Sequence, residues 1–331
     1  MRTLLAALLT LYGIAFCQER SSLSVESFLL RPIGARAAGL SSMQVACADE
    51  PSALFANPAC LGYLRDSTSI TTGTTLLSFG RSLSNVAASF PVSSQITIGA
   101  GIVGMNAGTI TQRDQSGTAL GNRTIWQGYG SVAASYRLTQ VTSLGVSGRL
   151  LYASAPDAAS TGSGVALDAG VVTSVLDRAT LGISIQHLGV MAYGAERFSL
   201  PWMLRMGISS QIPFSTEYVP ITSATLGTTD TVELPSIEHI LIGLEAQLRT
   251  GALTPTIIAG VEIVPHPLVA LRGGVALYGE SLGRPQLFPG TLLSGGVSFT
   301  LPLPIPIRLD YAIARGYTAS PLHTLSLVAD L

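Results

Sequence analysis

The sequence predicts an all-β protein: a 14-stranded antiparallel transmembrane β-barrel with an N-terminal plug, or hatch, in its lumen. Three observations predict this fold. The mean hydropathy is +0.46 and only 11% of residues are charged, yet after residue 17 no apolar run approaches the roughly 20 residues that a spanning helix needs. Apolar residues instead alternate with small or polar ones at a period of two. An irregular segment rich in small residues precedes the first of these alternating stretches.

Residues 1–17 are predicted to be a secretory signal peptide. A positive charge is followed by an apolar run from Leu4 to Phe16 and then by polar residues, which is the pattern of a cleaved leader. Ala15 and Cys17 are the small residues that cleavage before Gln18 requires. A lipoprotein with Cys17 as the lipidated residue is the weaker alternative, because bulky Phe16 stands where that signal has a small residue.

Residues 18–64 are predicted to form the plug. Gly34 and Gly39 permit backbone conformations that other residues avoid, and Asn57-Pro58 is a turn-initiating pair. The small residues between them suit close packing in a confined space. The alternative is a short helix and turn on the surface of a soluble domain.

The mature chain contains two cysteines, Cys47 and Cys60, both in the plug segment. Two arrangements fit them. A disulfide would stabilise the fold by about 3 kcal/mol through loop closure, and two small buried thiols are the alternative. The spacing is not that of a zinc site.

Residues 65–331 are predicted to form the barrel, because alternating segments follow one another there and are separated by turn-forming residues. In the clearest segment Leu309 and Tyr311 share one face, and Arg308 and Asp310 share the other. An even strand number lets such a meander close with both ends on one side of the membrane. We predict extracellular loops at 106–126, 213–237 and 279–289. The predicted strands are 67–78, 84–92, 94–106, 127–138, 142–153, 162–174, 179–188, 202–212, 238–249, 253–264, 268–278, 291–300, 305–315 and 323–331.

Charged residues within these segments fall on the face opposite the apolar one. That face is the lumen, since a charge in lipid costs roughly 2–4 kcal/mol near the bilayer midplane. Both signs occur, so we predict that these residues pair with each other or anchor the plug, and a path for a substrate is the alternative. The main candidates are Arg249, Glu262, Arg272, Arg308 and Asp310.

The plug segment resembles the N-terminal segment of the PorV/PorQ group of FadL-like outer-membrane barrels. The matching residues run from Gly34 to Leu40, then Val45-Ala46 with Asp49, then from Asn57 to Leu61. Leu40, Ser41 and Cys60 depart from the usual pattern. Three later stretches resemble strands of the same group, namely 181–189, 200–207 and 308–312.

The resemblance implies a barrel in the outer membrane of a Gram-negative bacterium, embedded in outer-membrane lipid. It implies a role in type IX protein secretion or in surface attachment of cargo, with secretion components or a cargo protein as partners. The alternative is a FadL-like channel for uptake of hydrophobic small molecules, which leave sideways into the membrane. Such channels are usually longer chains, which favours the secretion role. The resemblance assigns the hatch to Gly34, Arg36, Gly39, Asp49, Asn57, Pro58 and Ala59.

An enzyme is disfavoured by the sequence. The four histidines are scattered, so they indicate neither a metal cluster nor a nucleophile with its base, and no cofactor is predicted. A formal net charge of −1 excludes a basic nucleic-acid-binding surface. The histidines are His187, His239, His266 and His323.

Overall fold

A closed antiparallel barrel forms the body of the protein. The computed structural model describes residues 27–331 except 48, 65–66, 155–160, 177, 223–228, 253, 279–289 and 316–319. One sheet contains 15 strands, and two of them, β8 and β9, together occupy one position in the wall. The wall therefore has 14 positions, and the predicted strand number is confirmed.

The strands are β1 (Ser69–Leu77), β2 (Arg81–Pro91), β3 (Ile96–Arg113), β4 (Ala119–Arg137), β5 (Thr142–Ser154), β6 (Gly162–Leu176), β7 (Ala179–Tyr193), β8 (Glu196–Ser199), β9 (Met203–Pro213), β10 (Thr216–Thr222), β11 (Thr229–Pro235), β12 (His239–Arg249), β13 (Thr256–His266), β14 (Val269–Leu277), β15 (Thr291–Leu301), β16 (Ile307–Arg315) and β17 (Leu322–Asp330). β10 and β11 form a separate two-stranded hairpin.

The barrel closes where the first strand meets the last. β1 pairs with β17 in antiparallel register, from Ser69 opposite Asp330 to Leu76 opposite His323. Closure pairs the backbone groups that an open sheet would leave unpaired at its edges, which is a requirement for a sheet that lies in lipid. We call the end where β1 begins and β17 ends the terminal end, and the opposite end the distal end.

The plug segment is built from short helical turns. A five-residue helix, α1 (Ala35–Gly39), is flanked by 3-10 helices at Ser27–Leu30, Pro51–Phe55 and Pro58–Tyr63. Proline begins the last two helices, where its missing N–H leaves no bond unmade. The side chain of Asn57 caps the last one by accepting a hydrogen bond from the N–H of Ala59 at 3.1 Å.

The alternation in sequence becomes two faces of the wall. Along β5 the outward side chains are apolar, and the inward ones are small or charged. Leu144, Val146, Leu150 and Tyr152 are exposed, while Ser143, Ser147 and Arg149 are buried. An apolar outer surface of this kind is what lipid contact requires. Among the described residues, no helix is long and apolar enough to cross a membrane.

The eighth position of the wall is interrupted between β8 and β9. β7 pairs with β9 as far as Gln186 opposite Met203, and its pairing with β8 starts only at Val190 opposite Ser199. Pro201, in the gap, has no N–H to donate to a ladder. The neighbouring Leu200 is only 1% exposed, within the apolar core. The sequence did not predict this break.

The structure corrects two of the predicted extracellular loops. Strands β3 and β4 continue as a hairpin far into 106–126. The connection at 213–237 lies at the terminal end, because it joins Pro213 to His239 and these residues pair beside the start of β7. The predicted side of the membrane was wrong for this stretch, because it follows β9, which runs towards the terminal end of the barrel. The third loop, 279–289, lies outside the described residues.

A charge on the outer face should destabilise the barrel according to its depth. We expect Val146→Arg, in the middle of β5, to lower the free energy of unfolding in lipid vesicles by roughly 2–4 kcal/mol. Ile110→Arg is the matched control. It is also exposed, but it lies beyond Asn106, where β3 no longer pairs with β2, so its effect should be near zero. Equal effects at the two sites would show that this outer face does not lie in lipid.

Candidate functional site: a plugged lumen

Six charged side chains form a closed ring of alternating sign between the plug and the wall. The plug contributes two of them, and strands β13, β14 and β16 contribute four. Because each charge has an opposite charge on both sides, the ring can be buried without leaving an unpaired ion. Arg36 lies 2.8 Å from Glu262; Arg272 contacts Glu262 and lies 3.1 Å from Asp310; Arg308 lies 3.0 Å from Asp310 and 2.9 Å from Asp49; and Asp49 lies 3.3 Å from Arg36.

Glu50 joins this ring from the plug side. Its carboxylate lies 2.6 Å from Arg308 and accepts a hydrogen bond from Ser52 at 2.5 Å. Burial raises the pKa of Glu50 above its ordinary value, and the nearby Arg308 opposes that shift. Glu50 also lies close to Gly34, where a Cβ would be 3.0 Å from the Glu50 carboxylate.

A second cluster holds the middle of the plug by its main chain. Glu245 of β12 accepts hydrogen bonds from the N–H groups of Gln44 and Val45, both at 2.9 Å. Arg205 of β9 donates to Glu245 at 2.7 Å and to the carbonyl oxygen of Ser42 at 2.5 Å. This ion pair therefore satisfies three main-chain groups of a segment that has no regular structure to satisfy them.

A third cluster holds the plug beside the interruption in the wall. Arg149 of β5 and Gln186 of β7 both donate to the carbonyl oxygen of Phe55, at 3.0 and 2.6 Å. Arg149 forms a fully buried ion pair with Asp168 at 2.5 Å. Asp168 also accepts a hydrogen bond from the main chain of His187 at 2.7 Å, and His187 has a φ of +60°. Sequence reasoning treated His187 as scattered and missed this role.

Serines on the inward face bind further plug main-chain groups. Their hydroxyls donate to plug carbonyl oxygens or accept from a plug N–H, and five strands, β4, β7, β9, β15 and β17, each provide one. The inward parity of these serines is the signal in the sequence that could have predicted them. The pairs are Ser135 with Ala59 at 3.1 Å, Ser184 with Ala56 at 2.8 Å, Ser209 with Ala46 at 2.8 Å, Ser294 with Gly39 at 2.8 Å and Ser326 with Ala35 at 2.8 Å.

Glycines let the plug backbone approach the wall. A Cβ at Gly145 would lie 2.2 Å from the nitrogen of Ala59, and a Cβ at Gly182 would lie 2.0 Å from the carbonyl oxygen of Val45. Both distances are far below van der Waals contact. Any side chain at these positions would push the plug away from the wall.

The structure places the sequence-predicted plug residues as follows. Gly34 has the positive φ, +91°, that a glycine favours. The same expectation is wrong for Gly39, which ends α1; the positive φ values fall on Ser41 and Ser42 instead. Asn57 is fully buried and donates to the carbonyl oxygens of Val45 and Val171, at 2.8 and 3.3 Å. Pro58 and Ala59 follow it in the 3-10 helix that packs on β4, β5 and β6.

The predicted luminal charges divide into two groups. Glu262, Arg272, Arg308 and Asp310 meet in the ring described above. Arg249 does not join them: it is the last residue of β12, at the distal end of that strand.

No disulfide joins Cys47 and Cys60. Their sulfur atoms donate to the carbonyl oxygens of Met43 and Val45, at 3.2 and 3.6 Å. Burial raises the pKa of the Cys47 thiol to about 12, so this thiol stays protonated at neutral pH. Among the described residues, no group of His, Cys, Asp and Glu is placed to hold a metal ion.

The two halves of the lumen differ in chemistry. At the terminal end a cavity of about 710 Å³ is lined by charged and hydroxyl-bearing residues, including Arg36, Asp49, Arg178, His239 and Arg308. The distal half is apolar and packed. The plug fills it with Phe28, Leu29, Ile33, Leu54 and Phe55, and the wall surrounds them with Leu77, Leu83, Val103, Met105, Tyr129, Leu151, Met191 and Leu200.

Comparison with known proteins identifies the fold. No model of a known protein family and no curated protein matches the sequence. Among solved structures, the toluene transporter TbuX of Ralstonia pickettii is 15% identical with a TM-score of 0.54, over 92% of this chain and 98% of that chain. A Pseudomonas aeruginosa FadL homologue is 11% identical with a TM-score of 0.59, over 90% and 97%. The P. putida toluene transporter TodX is 12% identical with a TM-score of 0.58, over 91% and 99%.

The chain therefore has the fold of the FadL-like barrels, with 14 antiparallel strands around an internal segment. At sequence identities this low, the similarity to these structures establishes a shared fold and nothing more.

Adding one methyl group to the wall should separate it from the plug. We expect Gly145→Ala to displace residues 58–59 and to lower the midpoint of thermal unfolding by several degrees, because its Cβ would overlap main-chain atoms. Gly148→Ala, three residues along β5, is the matched control, since no atom lies within 4 Å of the added carbon. If the two variants unfold at the same temperature, the plug does not touch the wall at Ala59.

Proposed function

We propose that this protein is an outer-membrane channel for the uptake of small hydrophobic molecules in a Gram-negative bacterium. The observation that carries the proposal is the apolar core that fills the distal half of the lumen, opposite the end where β1 begins and β17 ends. The solved structures that share the fold include proteins described as toluene transporters, which supports the same ligand chemistry for this chain.

The orientation in the membrane follows from the topology. An even-numbered barrel has both termini on one side, which is the periplasmic side in outer-membrane proteins. The distal end then faces the exterior, so the apolar core of the lumen lies on that side. The polar cavity with Arg36, Asp49 and Arg308 faces the periplasm.

A hydrophobic molecule that displaced the plug from the distal half of the lumen would meet two barriers. Below it lie the charge ring and the polar cavity, which such a molecule enters at a cost. Beside it lies the interruption between β7, β8 and β9, where one backbone hydrogen bond, from Leu200 to Gly189 at 3.0 Å, spans the residues between the paired stretches. Leu200 belongs to the apolar core of that half. We propose this interruption as the sideways exit into the membrane.

The plug is tied to the same place. Gln186 and Arg149 hold Phe55 of the plug, and His187 at the interruption donates its Nδ1–H to the carbonyl oxygen of Pro201 at 3.2 Å. A shift of Phe55 would therefore be transmitted to Pro201 through the hydrogen bonds of Arg149 and His187. This coupling supports the proposal that plug movement and wall opening occur together.

A secretion role is the second candidate, and its support is the resemblance of residues 34–61 to the PorV/PorQ group. Its test is co-purification from native membranes. Recovery with a large translocon or a surface-attached cargo protein would favour secretion, and recovery with bound lipid or hydrocarbon and no protein partner would favour uptake.

Cross-linking tests the uptake route. In a Cys47→Ser/Cys60→Ser background, we expect an oxidised Leu188→Cys/Trp202→Cys pair to close the interruption and reduce accumulation of radiolabelled toluene in proteoliposomes to background. Reduction of the disulfide should restore it. The control pair, Ile183→Cys/Met206→Cys, joins residues that already face each other in the β7–β9 ladder.

Oxidation of the control pair should leave uptake unchanged, because the wall is continuous there. Toluene uptake that persists with the test pair closed would contradict the sideways exit. The absence of uptake in the unmodified protein would contradict the channel itself.

A further inference from the structure

We propose that the recess occupied by the Phe55 side chain is a binding site for a single-ring aromatic molecule that carries a hydroxyl group, that is, a phenolic compound. The inference rests on the proposed uptake function and names its ligand class. It depends on three features of the wall formed by β1, β2, β3 and β4.

The first feature is a recess shaped for one aromatic ring. The ring of Phe55 packs directly on the backbone of Gly101, where a Cβ would lie 2.6 Å from the Phe55 Cζ atom. Tyr129 closes one side with its ring edge-on, the two ring centroids being 5.8 Å apart at 79°. Ala87, the cross-strand neighbour of Gly101, is another small residue. The plug thus presents a six-membered ring to a hollow made of small residues.

The second feature is a set of buried polar groups that meet no partner. Thr71 and Ser89 are 0% exposed, Ser131 is 4% exposed and Asn85 is 7% exposed. Within the described part of the chain, the hydroxyls of the first three and the amide nitrogen of Asn85 have no hydrogen-bond partner. Other inward serines of this barrel bind plug main-chain groups, so these four groups are exceptions that need an explanation.

The third feature is the placement of these groups around the recess. Thr71 lies opposite Ala87, and Ser131 lies opposite Gly101, so both flank the recess in one row across the wall. Asn85 and Ser89 lie two residues on either side of Ala87 on β2 and therefore point into the same lumen. A small-residue hollow is thus surrounded by four polar groups.

Phe55 satisfies the shape of this site but not its polarity. A phenyl ring fills the hollow, yet it offers no hydrogen bond to the hydroxyls and the amide around it. A ligand with the same ring and a phenolic hydroxyl, which can both donate and accept, would also bind one or two of the nearest of these groups. Phe55 is therefore a built-in occupant that such a ligand displaces, and a plain hydrocarbon gains much less from the exchange.

Two ligands of matched shape test the proposal. We expect the purified protein in detergent to bind p-cresol about tenfold more tightly than toluene by equilibrium dialysis, because one or two hydrogen bonds separate them. The double variant Thr71→Val/Ser131→Ala keeps the hollow but removes two hydroxyls. It should bind p-cresol roughly tenfold more weakly than the unmodified protein and toluene equally well.

Two further variants sharpen the result. Thr74→Val removes a hydroxyl from the outward side of the same strand and should change neither affinity. Phe55→Ala removes the built-in occupant and should bind p-cresol more tightly. Equal binding of the two ligands, unchanged by Thr71→Val/Ser131→Ala, would overturn the phenolic site and leave a hydrocarbon channel standing. Binding of neither ligand would overturn the site and the proposed function together.

Discussion

A main chain that forms neither a long helix nor a sheet can lie inside a barrel only if its N–H and C=O groups find partners there. The rest of this structure depends on that constraint. The described part of the plug contains a single five-residue α-helix and three short 3-10 helices, so much of its backbone needs partners from elsewhere. The wall supplies them with serine hydroxyls, with Glu245 and Arg205, and with Arg149 and Gln186. Its glycines bring the two backbones close enough for these bonds to form.

The charges of the wall can also satisfy one another. Four arginines and four acids of the strands form pairs within the wall itself: Arg149 with Asp168, Arg205 with Glu245, Arg272 with Glu262 and Asp310, and Arg308 with Asp310. The plug adds Arg36, Asp49 and Glu50 to this set. The barrel therefore does not need the plug in order to balance its buried charge, and the plug can shift without leaving an isolated ion in the wall. This balance is compatible with a segment that moves during transport.

The sequence predicts the fold well because one physical rule governs every strand. Leu309 and Asp310 must face opposite sides of the barrel wall, and the alternation of apolar and polar residues in the sequence shows this directly. The plug follows no such period. Its contacts depend on which residues of distant strands meet it, as Asn57 meets Val171, and no local pattern encodes such a meeting.

Other features escaped sequence reasoning for equally local reasons. The break at Pro201 lies between two stretches that each look like strand, so the interruption is visible only once β7 shows where pairing stops. The unpartnered groups of Thr71 and Ser131 look the same in sequence as the partnered hydroxyl of Ser135. What distinguishes Ser135 is the carbonyl oxygen of Ala59, which reaches it from a remote part of the chain.

Conductance in planar lipid bilayers tests most directly whether residues 27–64 close the lumen. A barrel of 14 strands is wider than its own side chains can fill, so its closure must come from the plug. The full-length protein should show little steady current, and a variant lacking residues 27–64 should fold, retain its β content and form a steadily conducting pore. If both proteins conduct alike, the segment does not close the barrel, and the wall contacts described for it do not hold it there.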